Sequence, residues 1–365
     1  MTRLIYFSRD YTTHDHRFLT SLAESGNETY YLRLERGKMQ LEDRSLPPGI
    51  HKIRWSGEDS PFSLGKVPRM TAELRKLVRE IEPDLIHAGP IQSCALLTGL
   101  SGFQPLISMS WGYDLLLDAE RSWLMRKITQ FTLKRSSRLI TDCQTVLKKA
   151  AQLGMPQDKI VTFPWGVDLK RFTPGKYPPE DDNQFTILST RSWEPIYGVD
   201  ILARAFVEAA QKNKSLRLIM LGNGSQASIL RELFERGGVN ERVYYPGQVS
   251  QLDLARYYQM ADLYVSASHI DGSSVSLMEA LACGRPVLVS DIPGNREWVE
   301  PGQNGWWFKD GDFDELADKL LMAVDMRPNL TSMSVAARKM AEDRADWNRN
   351  FPVLLDAYQA ALSEI

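Results

Sequence analysis

The sequence predicts an α/β protein of two doubly wound domains, each a parallel sheet covered by helices. Three observations carry this expectation. Short apolar runs alternate with longer stretches of helical period along the whole chain, the pattern of parallel strands joined by right-handed crossovers. Ten such runs are too many for one comfortable sheet. A polar, proline-rich stretch divides them five and five.

Composition narrows the class. The 365 residues suit two domains at roughly 150 residues each. With 43% apolar and 25% charged residues, a disordered chain is excluded. Lys and Arg number 44 against 46 Asp and Glu, so no global basic excess exists to hold a nucleic-acid backbone. Cys94, Cys143 and Cys283 are far apart, odd in number and without metal spacing. They argue against a disulfide framework or a zinc site and fit a reducing cytoplasm. No apolar run approaches the ~20 residues that span a bilayer. The first apolar stretch is too short for a signal peptide and meets Asp10 at once. A cytoplasmic location is therefore expected.

The first five strands are expected at 4–7, 84–87, 105–108, 138–141 and 159–163, and the second five at 185–189, 216–221, 243–245, 263–266 and 286–289. Helical stretches lie between them at 68–82, 123–134, 199–211 and 226–237. Residues 1–169 form the expected N-terminal domain, 170–184 a linker and 185–340 the expected C-terminal domain. Residues 341–365 are expected to pack back on the first domain. Ligands of open parallel sheets bind beyond the C-terminal strand ends, so the two domains are expected to face each other across a cleft.

The most informative stretch runs from Asp271 to Pro286. Ser273 or Ser274 suits a helix N-cap, with Gly284 past the helix end and Pro286 stopping it. Amides at Ser274 and Val275, with the helix dipole, make an anion site suited to a diphosphate. Glu279 sits in the second turn among Leu277, Met278, Ala280 and Leu281, where a carboxylate is costly without strong donors. A ribose offers two hydroxyls at that spacing, and a structural Arg would serve as well.

These residues resemble the family-4 retaining glycosyltransferases, which have the GT-B fold of two Rossmann-like domains. The run Asp271, seven residues, Glu279-Ala280-Leu281-Ala282-Cys283-Gly284-Arg285-Pro286-Val287 follows their pattern, with Asp271 where Glu is usual. The resemblance continues at 291–297, 302–305, 221–224 and in Pro164-Trp165-Gly166-Val167-Asp168. It implies that Glu279 holds the ribose of a sugar nucleotide, and that Asp271 and the backbone after it hold the sugar hydroxyls. Arg191 matches the arginine that faces the diphosphate, but Tyr197 stands where a lysine is usual. Arg9, Arg17 and Arg296 are candidates to supply the missing charge.

Further site residues follow from the same resemblance. Gly166, Gln248, Ser273 and His14 join the donor-binding set. His14 lies in a loop after the first strand that usually carries two glycines. Its other reading is a helix start capped by Asp15. His87 ends a strand where a His-x-His is common, and Gly89 holds the second place. Its other reading is a buried core histidine. Asp114, after Trp111, either orients an acceptor hydroxyl or caps a helix. The expected catalytic set is Asp271, Arg191, His87 and Asp114.

The expected function is metal-independent, retaining transfer of a hexosyl group from a nucleoside-diphosphate sugar, UDP-sugars favoured, to an acceptor hydroxyl. No Asp-x-Asp sits at a strand end, since Asp312-Phe313-Asp314 opens a helix. No metal and no cofactor is therefore expected beyond the sugar nucleotide as substrate. The alternatives are a sugar-nucleotide-binding protein with little transferase activity and a GT-B sugar-nucleotide epimerase. Expected partners are the donor and a saccharide, lipid-linked or small-alcohol acceptor, with no nucleic acid. Residues 121–138 mix six cations with Trp123, Leu124, Ile128, Phe131 and Leu133, which suggests a peripheral membrane contact or a solvated helix.

Overall fold

The computed structural model describes residues 1–35, 42–58, 61–175 and 183–364. The chain divides into two compact units, residues 1–163 with 351–365, and residues 164–350.

Among the described residues the first unit has seven parallel strands: β1 (Arg3–Ser8), β2 (Glu28–Arg33), β3 (Ile50–Ile53), β4 (Leu85–Gly89), β5 (Leu106–Met109), β6 (Arg138–Thr141) and β7 (Ile160–Thr162). Their order is β3-β2-β1-β4-β5-β6-β7. β4 and β5 are buried along their whole length, as central parallel strands must be when helices cover both faces.

The second unit has six parallel strands among its described residues: β8 (Phe185–Ser189), β9 (Leu216–Leu221), β10 (Val243–Gly247), β11 (Leu263–Ser266), β12 (Val287–Ser290) and β13 (Gly305–Phe308). Their order is β10-β9-β8-β11-β12-β13. The faces of this sheet carry separate cores. Phe185, Ile187, Val265 and Leu288 belong to one, and Leu188, Tyr264, Val287 and Val289 to the other. β8 pairs with β11, Leu188 opposite Tyr264, at the point where the strand order reverses. Loops leaving these two strands therefore emerge side by side.

Three strands lie outside the expected ten. β2 and β3 sit at one side of the first sheet and β13 at the edge of the second, where one face or one edge is partly solvated. Their apolar content is diluted accordingly, as in the exposed His51 and Lys52 of β3.

The unit boundaries also differ from the expected 169 and 341. Residues 164–169 and 341–350 count with the second unit. The Val167 amide donates to the Ala345 carbonyl at 2.7 Å, and the Trp347 amide returns a bond to Val167 at 3.2 Å. Of the expected linker 170–184, residues 176–182 lie outside the described residues. Phe172, by contrast, is a buried member of the second unit's core, and the Thr173 carbonyl accepts from Gln259 at 2.8 Å. The last helix, Trp347–Leu362, ends among the residues of the first unit.

Candidate active site

The loop after β8 carries Arg191, and the loop after β11 carries Asp271 and leads into the helix Val275–Ala282. Sheet pairing brings these loops together across 80 residues of sequence. Arg191 Nη2 lies 2.7 Å from Asp271 Oδ2. Its Nη1 donates to Ser274 Oγ at 2.8 Å and to Ser276 Oγ at 3.0 Å. The guanidinium lies over the Tyr197 ring, 4.1 Å from its centroid. Burial opposes the Arg191 charge, but Asp271 and the tyrosines 197, 264 and 258 hold its pKa above the ordinary value. The side chain is 11% exposed and Asp271 21%, so the pair stands at the rim of the unit rather than in its core.

Glu279 is buried in the same helix. The Tyr258 hydroxyl lies 2.9 Å from Glu279 Oε2, 3.0 Å from the Ser276 carbonyl and 3.1 Å from Thr190 Oγ1. Burial and the Glu279 carboxylate both push the Tyr258 phenol far above its ordinary pKa, so it stays a neutral donor. Tyr258 is thus one donor to the Glu279 carboxylate. Ser274 occupies the N-cap position, but its hydroxyl faces Arg191 and makes no cap hydrogen bond. The Ser273 hydroxyl accepts from the Trp298 indole at 3.0 Å. First-turn amides of a helix have no intrahelical partner, so those from Val275 onward are the donors an anion would meet here.

Glycines hold these loops in place. A Cβ on Gly294 would come within 2.5 Å of the Asp271 carbonyl, and one on Gly198 within 2.1 Å of the Ala267 carbonyl. Gly198 also has a φ of +57°, which favours glycine. Two expected donor residues fall elsewhere in this unit. Gly166 has a φ of +70°, and a Cβ there would meet the Ala345 carbonyl at 2.5 Å, so the crossing of chain segments accounts for it. Gln248 is an exposed residue just after β10.

The first unit uses its polar residues differently. Asp114 is fully buried and accepts from the Ile91 amide at 3.0 Å, the Ser110 hydroxyl at 2.6 Å and the Trp111 and Leu115 amides at 3.1 and 3.0 Å. The expected role in orienting an acceptor hydroxyl gives way to a structural one, because backbone donors and Ser110 already hold both of its oxygens. Burial lifts its carboxyl to about 6 despite these bonds. His87 is 1% exposed, with Nδ1 2.5 Å from the Tyr358 hydroxyl, and burial drives its pKa down to about 3. Tyr6 and Tyr358 pack edge-on against the ring. This is the core-histidine alternative, a neutral imidazole anchoring the last helix, and not a catalytic group at the unit's surface.

At the start of the first helix, Thr12 is the N-cap, and Asp15 is the reciprocal member of a capping box. Asp15 is thus three residues inside the helix and not the cap itself. His14 lies edge-on to Trp111 at 5.6 Å, with Arg17 Nη2 3.4 Å from its Nδ1. A Cβ on Gly89 would lie 2.5 Å from the Met109 carbonyl and 3.1 Å from the Trp111 indole nitrogen. The two departures from the family pattern, Gly89 and Trp111, are therefore one packing solution. Of the candidate substitute cations, Arg9 is committed to Glu35 and Tyr113. Arg296 is committed to Asp291 through two bonds.

Tyr258, Tyr264, Thr190, Ser276 and Gly294 are site residues the sequence reading missed. Ser276 lies inside the stretch singled out. Tyr258 and Tyr264 sit in an ordinary helix and strand, and nothing in their local pattern marks them.

Two family models match the chain: glycosyl transferases group 1 over residues 175–340 and glycosyl transferase 4-like over residues 3–144. Among curated relatives, a GDP-mannose-dependent monoacylated alpha-(1-6)-phosphatidylinositol monomannoside mannosyltransferase of Corynebacterium glutamicum is 24% identical over 304 residues, 77% of each chain. A GDP-mannose-dependent alpha-(1-6)-phosphatidylinositol monomannoside mannosyltransferase of Mycolicibacterium smegmatis is 23% identical, covering 90% of this chain and 89% of its own. Among solved structures, Anabaena HepE in complex with UDP superposes with a TM-score of 0.80 at 19% identity, covering 98% of this chain and all of its own.

Proposed function

The chain belongs to the group 1, 4-like glycosyl transferases with the GT-B fold, and from that premise we propose that it moves a hexosyl group from a nucleoside-diphosphate sugar to an acceptor hydroxyl. One observation supports this most: Arg191, Asp271, Ser274 and Ser276 converge at the start of a helix whose second turn carries Glu279. In this reading the diphosphate meets Arg191 and the first-turn amides of Val275–Ala282, and Glu279 takes the ribose hydroxyls. Asp271 takes the sugar hydroxyls. As the bond from the anomeric carbon to the phosphate oxygen breaks, negative charge grows on the leaving diphosphate. A guanidinium and fixed amides stabilise it without further reorganisation. The acceptor oxygen forms the new bond, and its proton passes to the leaving phosphate on the same face, which retains the anomeric configuration.

UDP-sugars remain the first donors to test, and the GDP-mannose relatives make GDP the second carrier. The reaction is proposed as metal-independent. The test is a thermal-shift panel of nucleotide sugars, followed by a nucleotide-release assay with glycan, lipid-linked and small-alcohol acceptors. Binding of one carrier and acceptor-dependent release support the reading. Binding without release favours the binding-protein alternative, and isomerised donor without acceptor favours the epimerase. An NMR spectrum of the product reads the anomeric configuration.

We also propose a peripheral contact with anionic membranes for the first unit. No helix among the described residues is long and apolar enough to cross a membrane. The helix Trp123–Arg135, however, buries Thr129, Thr132 and Leu133 and leaves Trp123 (73% exposed), Leu124 and Phe131 outside. Residues 121–138 hold six Lys and Arg and no acid. A hollow of about 340 Å³ beside the helix is lined by Leu64, Val67, Leu96, Leu100, Ile128 and Phe131, with Lys127. Cosedimentation with phosphatidylglycerol vesicles but not phosphatidylcholine vesicles is expected. Equal behaviour with both removes this proposal.

A further inference from the structure

We propose that Tyr197 is a positioning residue for Arg191: with Ser274 and Ser276 it fixes the guanidinium as a preformed anion seat, in place of a second cation. The inference rests on the diphosphate reading above. Its starting point is that a neutral side chain stands where the family pattern has a lysine, and that Arg9 and Arg296 are already committed to carboxylates.

The geometry shows what the neutral residue does instead. Arg191 Cζ lies over the Tyr197 ring, 4.1 Å from its centroid. A planar cation stacks on an aromatic face in a way that an ammonium does not match. Nη1 also donates to two hydroxyls, Ser274 and Ser276. Ser276 is itself held by the Tyr264 hydroxyl at 2.8 Å and by Ser274 at 3.0 Å. The ring and both hydroxyls are uncharged. They fix the plane of the guanidinium without neutralising it, and among the described residues Asp271 is the carboxylate that pairs with it. Arg191 Nε is buried and has no hydrogen-bond partner among the described residues.

A lysine at 197 would bring a like charge against the guanidinium before any anion arrived. Tyr197 avoids that repulsion and supplies orientation. Burial holds its phenol above the ordinary pKa, so the ring stays neutral at working pH. The device exchanges charge for preorganisation, and its benefit is realised when the leaving group gains charge.

The test compares Tyr197→Phe with Tyr197→Ala in the full chain, with two readouts. In the ligand-free protein, arginine side-chain NMR follows hydrogen exchange at Arg191 Nε. Exchange should stay slow in Tyr197→Phe and rise in Tyr197→Ala. In the nucleotide-release assay, Tyr197→Phe should keep kcat within about threefold, and Tyr197→Ala should lower it by about tenfold or more, with a smaller change in donor KM. Equal losses in both variants would make the phenol hydroxyl the active group and overturn the proposal. So would unchanged Arg191 exchange in Tyr197→Ala. If the unaltered protein binds no nucleotide sugar, the diphosphate reading fails, and the exchange measurement still decides whether Tyr197 positions Arg191.

Discussion

Asp114, in the short helix Tyr113–Leu116 after β5, and Asp271, in the loop after β11, occupy comparable places beyond strand ends in the two units. Asp114 is closed in, and its oxygens accept from three backbone amides and a serine. Asp271 stands at the rim and faces a guanidinium that came from a separate loop. A carboxylate spent on its own backbone holds a loop. One balanced by a side chain from a separate loop keeps part of its surface open to solvent. The same contrast separates His87, neutral and locked to Tyr358, from Arg191, charged and held by neutral groups. Asp114 and His87 are enclosed in the packing of the first unit, whereas Arg191 and Asp271 keep some exposure in the second.

The strongest way to break this comparison is to remove the cation. Arg191→Ala should lower kcat by about 10²–10³-fold, the cost of losing one donor to a developing anion, with little change in Tm. A Tm loss without a kinetic loss would make Arg191 structural. Next in size, Glu279→Ala should weaken nucleotide affinity by about ten- to a hundredfold in calorimetric titration, as expected for hydrogen bonds to a charged group. Unchanged affinity would remove the ribose assignment.

Stability sharpens the contrast. Asp114→Ala leaves buried backbone donors unpaired and should cost about 2–4 kcal/mol in urea unfolding. Asp271→Ala should show its larger effect in the transfer rate.

The pH dependence is smaller and has a definite sign. Burial raises the Asp114 carboxyl from 3.8 to about 6, so the folded state holds its proton more tightly than the unfolded chain. Its favourable contribution is complete below about 4 and is lost as pH rises to about 6. Asp15, raised by burial to about 6, acts in the same direction. His87, lowered to about 3, acts in the opposite one, adding stability as pH rises from about 3 to 6.5. Asp114→Asn removes one falling component. Between pH 4 and 6 its stability should therefore gain on that of the parent by about 1–3 kcal/mol in paired urea titrations. A constant difference would mean that Asp114 titrates normally. Smallest of all, EDTA should leave the transfer rate unchanged, and a loss restored by a divalent cation would overturn metal independence.

Much of this was legible locally. The alternation of apolar runs and helical period depends only on near neighbours, and so does the placing of Glu279 about one turn beyond Ser274. β2, β3 and β13 were not legible, because side and edge strands dilute the apolar signal with residues such as His51 and Lys52. Nor was the use of Gly89, which depends on a tryptophan packed from the next strand's loop.

By itself the sequence determined two parallel-sheet halves, a helix start suited to an anion and an acid on its second turn, because each follows from spacing along one segment. Only the tertiary structure decided which groups meet. Pairing of β8 with β11 set Arg191 on Asp271, and packing of a separate helix set Tyr258 on Glu279. Burial then made Asp114 and His87 part of the scaffold. The physical reason is that burial and partnership are properties of contacts between distant segments, which local spacing does not encode.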